Sequence, residues 1–212
     1  MRIFVWLLLG LFCVSAQASP EAEAALTRFN QIKGDAVLRA QALQDGEDRI
    51  RFCGHCHGHD GNSKRDHIPN LAEQNPIYLF NAFEKFAKGE RTDFVMSKLA
   101  QNLTLEDRVN IALYYGEQKV LASTEPADPV LQAQGQVLFQ KTCIACHGAQ
   151  AQGLESMPRL AGQSAAYVRN SLTRFRNNDP SRAGSVMLGI ASTLSPSDIN
   201  ALAAYLEHLQ VQ

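Results

Sequence analysis

The sequence predicts an all-α chain folded as two tandem helical units. Three observations lead there. The second half repeats the first with a shift of about ninety positions, apolar residues recur at helical rather than alternating spacing, and a polar stretch with two prolines separates the copies. With 212 residues, 45% hydrophobic and 19% charged, the composition is that of an ordinary globular protein, long enough for one large domain or two small ones. Only the repeat decides between those. A formal charge of −1 gives no support to nucleic acid or a strongly anionic membrane surface as a partner.

Residues 1–18 read as a secretory leader that is removed. Arg2 supplies a positive start, Ile3 to Val14 an apolar run, and Ala16-Gln17-Ala18 a small-x-small cleavage signal before Ser19. The run falls short of the ~20 apolar residues that a membrane-spanning helix needs. Cys13 is preceded by Phe12, where a lipoprotein signal would carry a small residue, so it is expected to leave with the leader. The expected location is the periplasm, after cleavage near Ala18-Ser19.

Residues 19–44 are rich in Ala, Leu and charged side chains and suggest an additional helix before the first unit, which is placed at 45–121. The linker, 122–130, contains Pro126 and Pro129 and shows no helical period. The second unit is 131–212. At a hundred residues or fewer, each unit has a thin core that a bound prosthetic group would thicken.

The correspondence between the copies is detailed. Cys53-Gly54-His55-Cys56-His57-Gly58 falls on Cys143-Ile144-Ala145-Cys146-His147-Gly148, and Pro69-Asn70-Leu71-Ala72-Glu73-Gln74 falls on Pro158-Arg159-Leu160-Ala161-Gly162-Gln163. Tyr78, Met96 and Tyr114 meet Tyr167, Met187 and Tyr205. Each copy closes with an amphipathic helix: Thr104 and Ser195 are the expected caps, with Asp107 and Asp198 in the first turn and Pro196 at the first helical position. One mismatch stands out. Gly135 and Phe139 lie eight and four residues before Cys143, whereas Asp45 and Arg49 hold those places in the first copy, with Gly46 and Ile50 one step later.

Cys-x-x-Cys-His is the haem attachment signature. Two thiols one helical turn apart add to the two vinyl groups, and the adjacent histidine reaches the iron. Both copies are complete, through Cys53, Cys56 and His57 and through Cys143, Cys146 and His147. A zinc ribbon would hold its pairs about 15 to 20 residues apart rather than ninety, and a thioredoxin-type pair would sit in a βαβ setting. The expected cofactors are two covalently bound haem c groups.

A second axial ligand is expected from methionine. Met96 lies 39 residues after His57 and Met187 lies 40 after His147, whereas Met157 matches Ile68 and reads as packing. Pro69 and Pro158 follow the motif histidines at 12 and 11 residues, where a backbone carbonyl would orient the ring and strengthen it as a donor; a rigid turn is compatible with that role. His55, His59 and His67 have no histidine counterparts in the second copy and read as surface or haem-edge residues, with a bis-histidine first haem as the competing arrangement. His208 reads as solvated near a helix end.

On these motifs the chain resembles the class I cytochromes c and, as a tandem pair over residues 45–211, the dihaem cytochrome c4 family. That resemblance implies two cytochrome c domains, each wrapped around one haem. It implies axial iron ligation by His57 with Met96 and by His147 with Met187, and carbonyls at Pro69 and Pro158 that accept from the haem histidines. It implies an electron carrier rather than an enzyme, working between a respiratory-chain donor such as a quinol-oxidising complex and an acceptor such as a terminal oxidase, with peripheral membrane association compatible. The alternatives are the electron-accepting cytochrome subunit of a dehydrogenase complex, as in flavocytochrome c sulfide dehydrogenases, or a dihaem peroxidase or thiosulfate dehydrogenase. Two methionine-capped irons would offer an enzyme no open position.

The charge is uneven. From Ser19 to Glu125 there are 13 Lys+Arg against 16 Asp+Glu, and from Pro126 onward 6 against 5. Arg169, Arg174, Arg176 and Arg182 gather before Met187 and could form a face that steers a partner.

Overall fold

A computed structural model describes residues 20–211, and all regular structure among them is helical. The expected leader lies outside the described residues. The first unit holds α1 (Pro20–Gly34), α2 (Ala36–Arg49), α3 (Gly54–His57), α4 (Pro76–Lys88), α5 (Met96–Gln101) and α6 (Leu105–Glu117). The second holds α7 (Pro129–Thr142), α8 (Ile144–His147), α9 (Ala165–Arg176), a 3₁₀ turn at Pro180–Arg182, α10 (Met187–Ala191) and α11 (Pro196–His208). Among the described residues, no helix is long and apolar enough to cross a membrane.

Each unit is organised by the crossing of its N- and C-terminal helices, α2 on α6 and α7 on α11. Glycine makes the crossing close. A Cβ at Gly46 would stand 2.4 Å from the Asn110 carbonyl oxygen, and one at Gly135 would stand 2.1 Å from that of Ala201. Gly46 is therefore the counterpart of Gly135, and Ile50 that of Phe139; both apolar side chains are fully buried. The first copy is one residue shorter between this crossing and its first cysteine. It absorbs the difference by leaving the helix at Arg49 and turning through residues 50–53, whereas α7 continues to Thr142.

The closing helices start as their sequences require. Thr104 accepts from the Asp107 N–H while Asp107 accepts from the Thr104 N–H, and Ser195 and Asp198 repeat the exchange at α11. Behind them the cores assemble from Leu79, Phe83, Ile111 and Tyr115 in the first unit and from Phe139, Val168, Leu202 and Leu206 in the second.

The expected extra helix is α1, and the helix matching α7 starts at Ala36, inside the stretch read from the sequence as extension. Asp35 separates the two helices and caps the second by accepting from the Val37 and Leu38 N–H groups. α1 packs Ala25 and Ile32 against Ala42, Phe80 and Val109, with Phe29 set edge-on to Phe80. Among the described residues, no helix covers the equivalent groove of the second unit, a cleft of about 400 Å³ between α7, α9 and α11. Arg169 and Asn200 line it where Phe80 and Val109 stand in the first copy. Polar side chains there keep that groove wettable, so a covering helix would gain little by burial.

Candidate functional site

In both copies the Cys-x-x-Cys-His segment folds as a single helical turn, α3 or α8, ended by a glycine with positive φ, Gly58 at 79° and Gly148 at 78°. A side chain there would be strained, and at Gly58 a Cβ would lie 2.3 Å from the Asn62 carbonyl. Cys53, Cys56, Cys143 and Cys146 form no disulfide with one another. Burial pushes the Cys53 thiol up, and burial followed by the neighbouring Cys146 pushes Cys143 up to about 11.

The motif histidines are buried, and each ring is fixed from behind. His57 Nδ1 lies 2.9 Å from the Pro69 carbonyl oxygen, and His147 Nδ1 lies 2.9 Å from that of Pro158. A carbonyl only accepts, so Nδ1 carries the proton and donates, which leaves the Nε2 lone pair for a metal. Burial lowers the pKa of both imidazoles, offset in part by the carbonyls and, at His57, by Asp93. Both are neutral near pH 7, the form that ligates. The prolines are held by matching loop closures. The Leu71 and Ala72 N–H groups donate to the Gly61 carbonyl at 2.7 and 3.2 Å, and those of Leu160 and Ala161 donate to Ala151 at 2.8 and 3.1 Å.

Met96 and Met187 occupy equivalent places, each half-buried as the first residue of a short helix packed on α4 or α9. Asp93 accepts from the Val95 and Met96 N–H groups at 2.9 Å. Its charge also acts on His57, so the methionine loop lies within electrostatic reach of that histidine. The far end of α5 is tied by Arg108, which donates to the Ala100 carbonyl at 2.9 Å and pairs with Glu84. Met157 is half-buried, and its carbonyl accepts from Asn75 Nδ2 at 2.7 Å.

Of the other histidines, His55 is exposed, and His59, His67 and His208 are engaged elsewhere. His59 Nδ1 lies 3.1 Å from the Tyr114 hydroxyl, with the rings edge-to-face, and exposed His67 sits beside Asp66. His208 is not fully solvated: its side chain is 19% exposed and lines the α7–α9–α11 cleft beside Glu207.

Sequence reasoning missed a cluster between the units. Arg91 Nη2 donates to the Tyr167 hydroxyl at 3.4 Å. Arg182 lies near enough that burial, followed by the Arg91 charge, lowers its pKa, and Tyr78 also faces it. Burial alone would raise the Tyr167 phenol, but the two guanidiniums outweigh it and hold the phenol below its ordinary value. Among the described residues, no carboxylate lies within ion-pair distance of Arg91 or Arg182. Two guanidiniums and two phenols at a seam fit anionic groups such as the carboxylates of haem. The available signal was a matched cation: each arginine stands five residues before its methionine.

This placement also corrects the expected steering face. Arg182 is at the seam and stacks on Phe175, Arg169 lines the second unit's cleft, and exposed Arg174 lies 3.9 Å from Asp179. The arginines do not form one surface.

The family model for cytochrome c matches residues 132–210. Cytochrome c4 of Pseudomonas aeruginosa is 37% identical over 196 residues, covering 87% of this chain and 93% of that protein. The thiosulfate dehydrogenase electron acceptor of Thiomonas intermedia is 31% identical over 168 residues, covering 73% and 76%. The crystal structure of reduced recombinant cytochrome c4 from Pseudomonas stutzeri superposes with a TM-score of 0.72 at 33% identity, covering 79% of this chain and 98% of that one.

Proposed function

Because the chain belongs to the cytochrome c4 family, we propose that it shuttles electrons between a donor and an acceptor of the respiratory chain in the periplasm. It is an electron carrier, not an enzyme, and it has two covalently bound haem c groups. Each haem, when bound, supplies a one-electron Fe(II)/Fe(III) couple. Cys53 and Cys56 tether one, and Cys143 and Cys146 the other. His57 with Met96 and His147 with Met187 would ligate the two irons, in two domains that open with α2 at Ala36 and with α7 at Pro129.

The observation that carries this reading is the duplicated histidine geometry. Two neutral, buried imidazoles, each with Nδ1 committed to a proline carbonyl at 2.9 Å, are oriented ligands with one free nitrogen apiece. The carbonyls keep the rings from rotating, and the short helices led by Met96 and Met187 supply thioethers that close the site to small molecules.

The test is spectroscopic. In the exported, oxidised protein, Met96→Ala and Met187→Ala should each remove about half of the sulfur-to-iron charge-transfer band, with the double variant losing it. A wild-type first haem lacking that band would replace Met96 with histidine and sink the assignment. A second reading, service as the electron-accepting partner of a dehydrogenase, is favoured by the likeness to the thiosulfate dehydrogenase electron acceptor. Co-purification with a dehydrogenase from the native envelope separates it from a free carrier.

A further inference from the structure

The seam between the units carries a reciprocal exchange that reaches both histidines. The Asn70 N–H donates to Gln163 Oε1 at 3.1 Å, and Gln163 Nε2 donates back to the Asn70 carbonyl at 2.6 Å. In the other direction, the Arg159 N–H donates to Gln74 Oε1 at 2.7 Å, and Gln74 Nε2 donates to the Arg159 carbonyl at 2.9 Å. Both glutamines are buried, 3% and 5% exposed. Each has one atom facing a donor and the other facing an acceptor, which fixes its amide orientation.

The chemistry lies in which peptide groups are held. The Asn70 N–H belongs to the same peptide unit as the Pro69 carbonyl, the acceptor behind His57. The Arg159 N–H belongs to the unit of the Pro158 carbonyl, the acceptor behind His147. When an amide donates its N–H, its carbonyl oxygen becomes more negative and a better acceptor, because linked hydrogen bonds polarise one another. A better acceptor draws the Nδ1 proton and makes the imidazole a stronger donor to a metal, which favours the ferric state.

We propose that Gln163 and Gln74 are positioning residues acting across the seam, Gln163 setting the donor strength of His57 and Gln74 that of His147. Each domain thus tunes the haem of the other. This rests on the reading of His57 and His147 as iron ligands.

The test uses the full dihaem protein, with the two reduction potentials measured by spectroelectrochemistry and assigned to each haem by NMR. Gln163→Leu should raise the potential of the His57 haem and leave the His147 haem unchanged, and Gln74→Leu should do the reverse. The Nδ1 proton resonance of the affected histidine should move upfield in the reduced protein as its hydrogen bond weakens. Gln163→Glu keeps an oxygen opposite the Asn70 N–H, so it should not raise the His57 potential. Asn75→Ala removes the contact to the Met157 carbonyl, loosening the same seam without touching either peptide, and should shift neither haem.

A shift in the haem of the glutamine's own domain, no shift in either, equal shifts from Asn75→Ala, or Gln163→Glu behaving like Gln163→Leu would each overturn the proposal. Failure of the underlying ligation is distinguishable, because the wild-type histidine ring protons would then lack the ring-current shifts of an axial ligand whatever the glutamines do.

Discussion

Arg91 of the first unit donates to the Tyr167 hydroxyl of the second, 3.4 Å away, and shares the seam with Arg182. Positive charge beside a redox centre favours its reduced state. Arg91→Gln is therefore expected to lower both haem potentials by on the order of 1 kcal/mol, about 40 mV for one electron. The methionine charge-transfer band should persist. A rise in potential, read by redox titration, would contradict the placement of this charge.

The helix crossing at Gly135 leaves no space for a side chain, since even a Cβ would press on the Ala201 carbonyl and on Tyr205. Gly135→Val is expected to cost 1–3 kcal/mol or more by overpacking, roughly the range known for crowded cores. Thermal unfolding of the holoprotein should show the loss, and haem loading of the second unit should fall below that of the first.

Acid should unlock the closing helices. Burial would raise Asp107, but hydrogen bonds from Thr104 and the charge of Arg49 outweigh it and lower the pKa; at Asp198 the Ser195 hydrogen bonds lower it outright. A carboxylate whose pKa is depressed on folding stabilises the native state above its unfolded pKa and loses that contribution as pH falls through the folded value. Stability should therefore decline below the ordinary carboxylate range, under about pH 4. Asp107→Asn with Asp198→Asn should flatten this decline while lowering stability at neutral pH by about 1 kcal/mol per cap. Denaturant titrations at pH 7 and pH 3 would show whether the pH dependence resides in these two groups.

α1 should be separable from the fold beneath it. Its seat is Phe80, and the second copy shows that arginine is tolerated at the matching place, Arg169, where no helix sits. Phe80→Arg is expected to release α1 and make the chain near Gly34 a protease target, with the haem spectrum retained. Resistance to cleavage equal to wild type would mean that α1 is held chiefly by other contacts, such as the Arg28–Glu106 pair at 2.9 Å.

The fold was legible because duplication doubled every signal. A capping box at Thr104 is a weak hint alone, but with Ser195 at nearly the same distance from the same motif, 48 residues after His147 against 47 after His57, it marks the start of each domain's closing helix. The carbonyls at Pro69 and Pro158 were legible for the same reason. The one-residue offset at Gly46 was visible as a mismatch, but the turn at 50–53 that absorbs it depends on the close approach of α6, which no local pattern reports. The seam was illegible. Gln74 and Gln163 were matched between the copies, and Arg91 and Arg182 stand five residues before their methionines, yet the partners of Gln74, Gln163 and Arg91 lie 76 to 93 residues away, and periodicity describes only neighbours on one element.

The exchange of glutamines has the form of an isologous contact, the kind made by two identical subunits about a twofold axis: a given place on one half meets a second place on the other, and the reverse. Here the two subunits are consecutive stretches of one polypeptide. The residues between Gln118 and Asp128, anchored through the Lys119 carbonyl and the Leu121 N–H to Asn62, also convert a bimolecular encounter into an intramolecular one at roughly millimolar effective levels. Cutting that stretch would leave both haem domains intact and still paired at high protein concentration, and dilution would then part them. Electron transfer between the haems, independent of protein concentration in the intact chain, would become second-order.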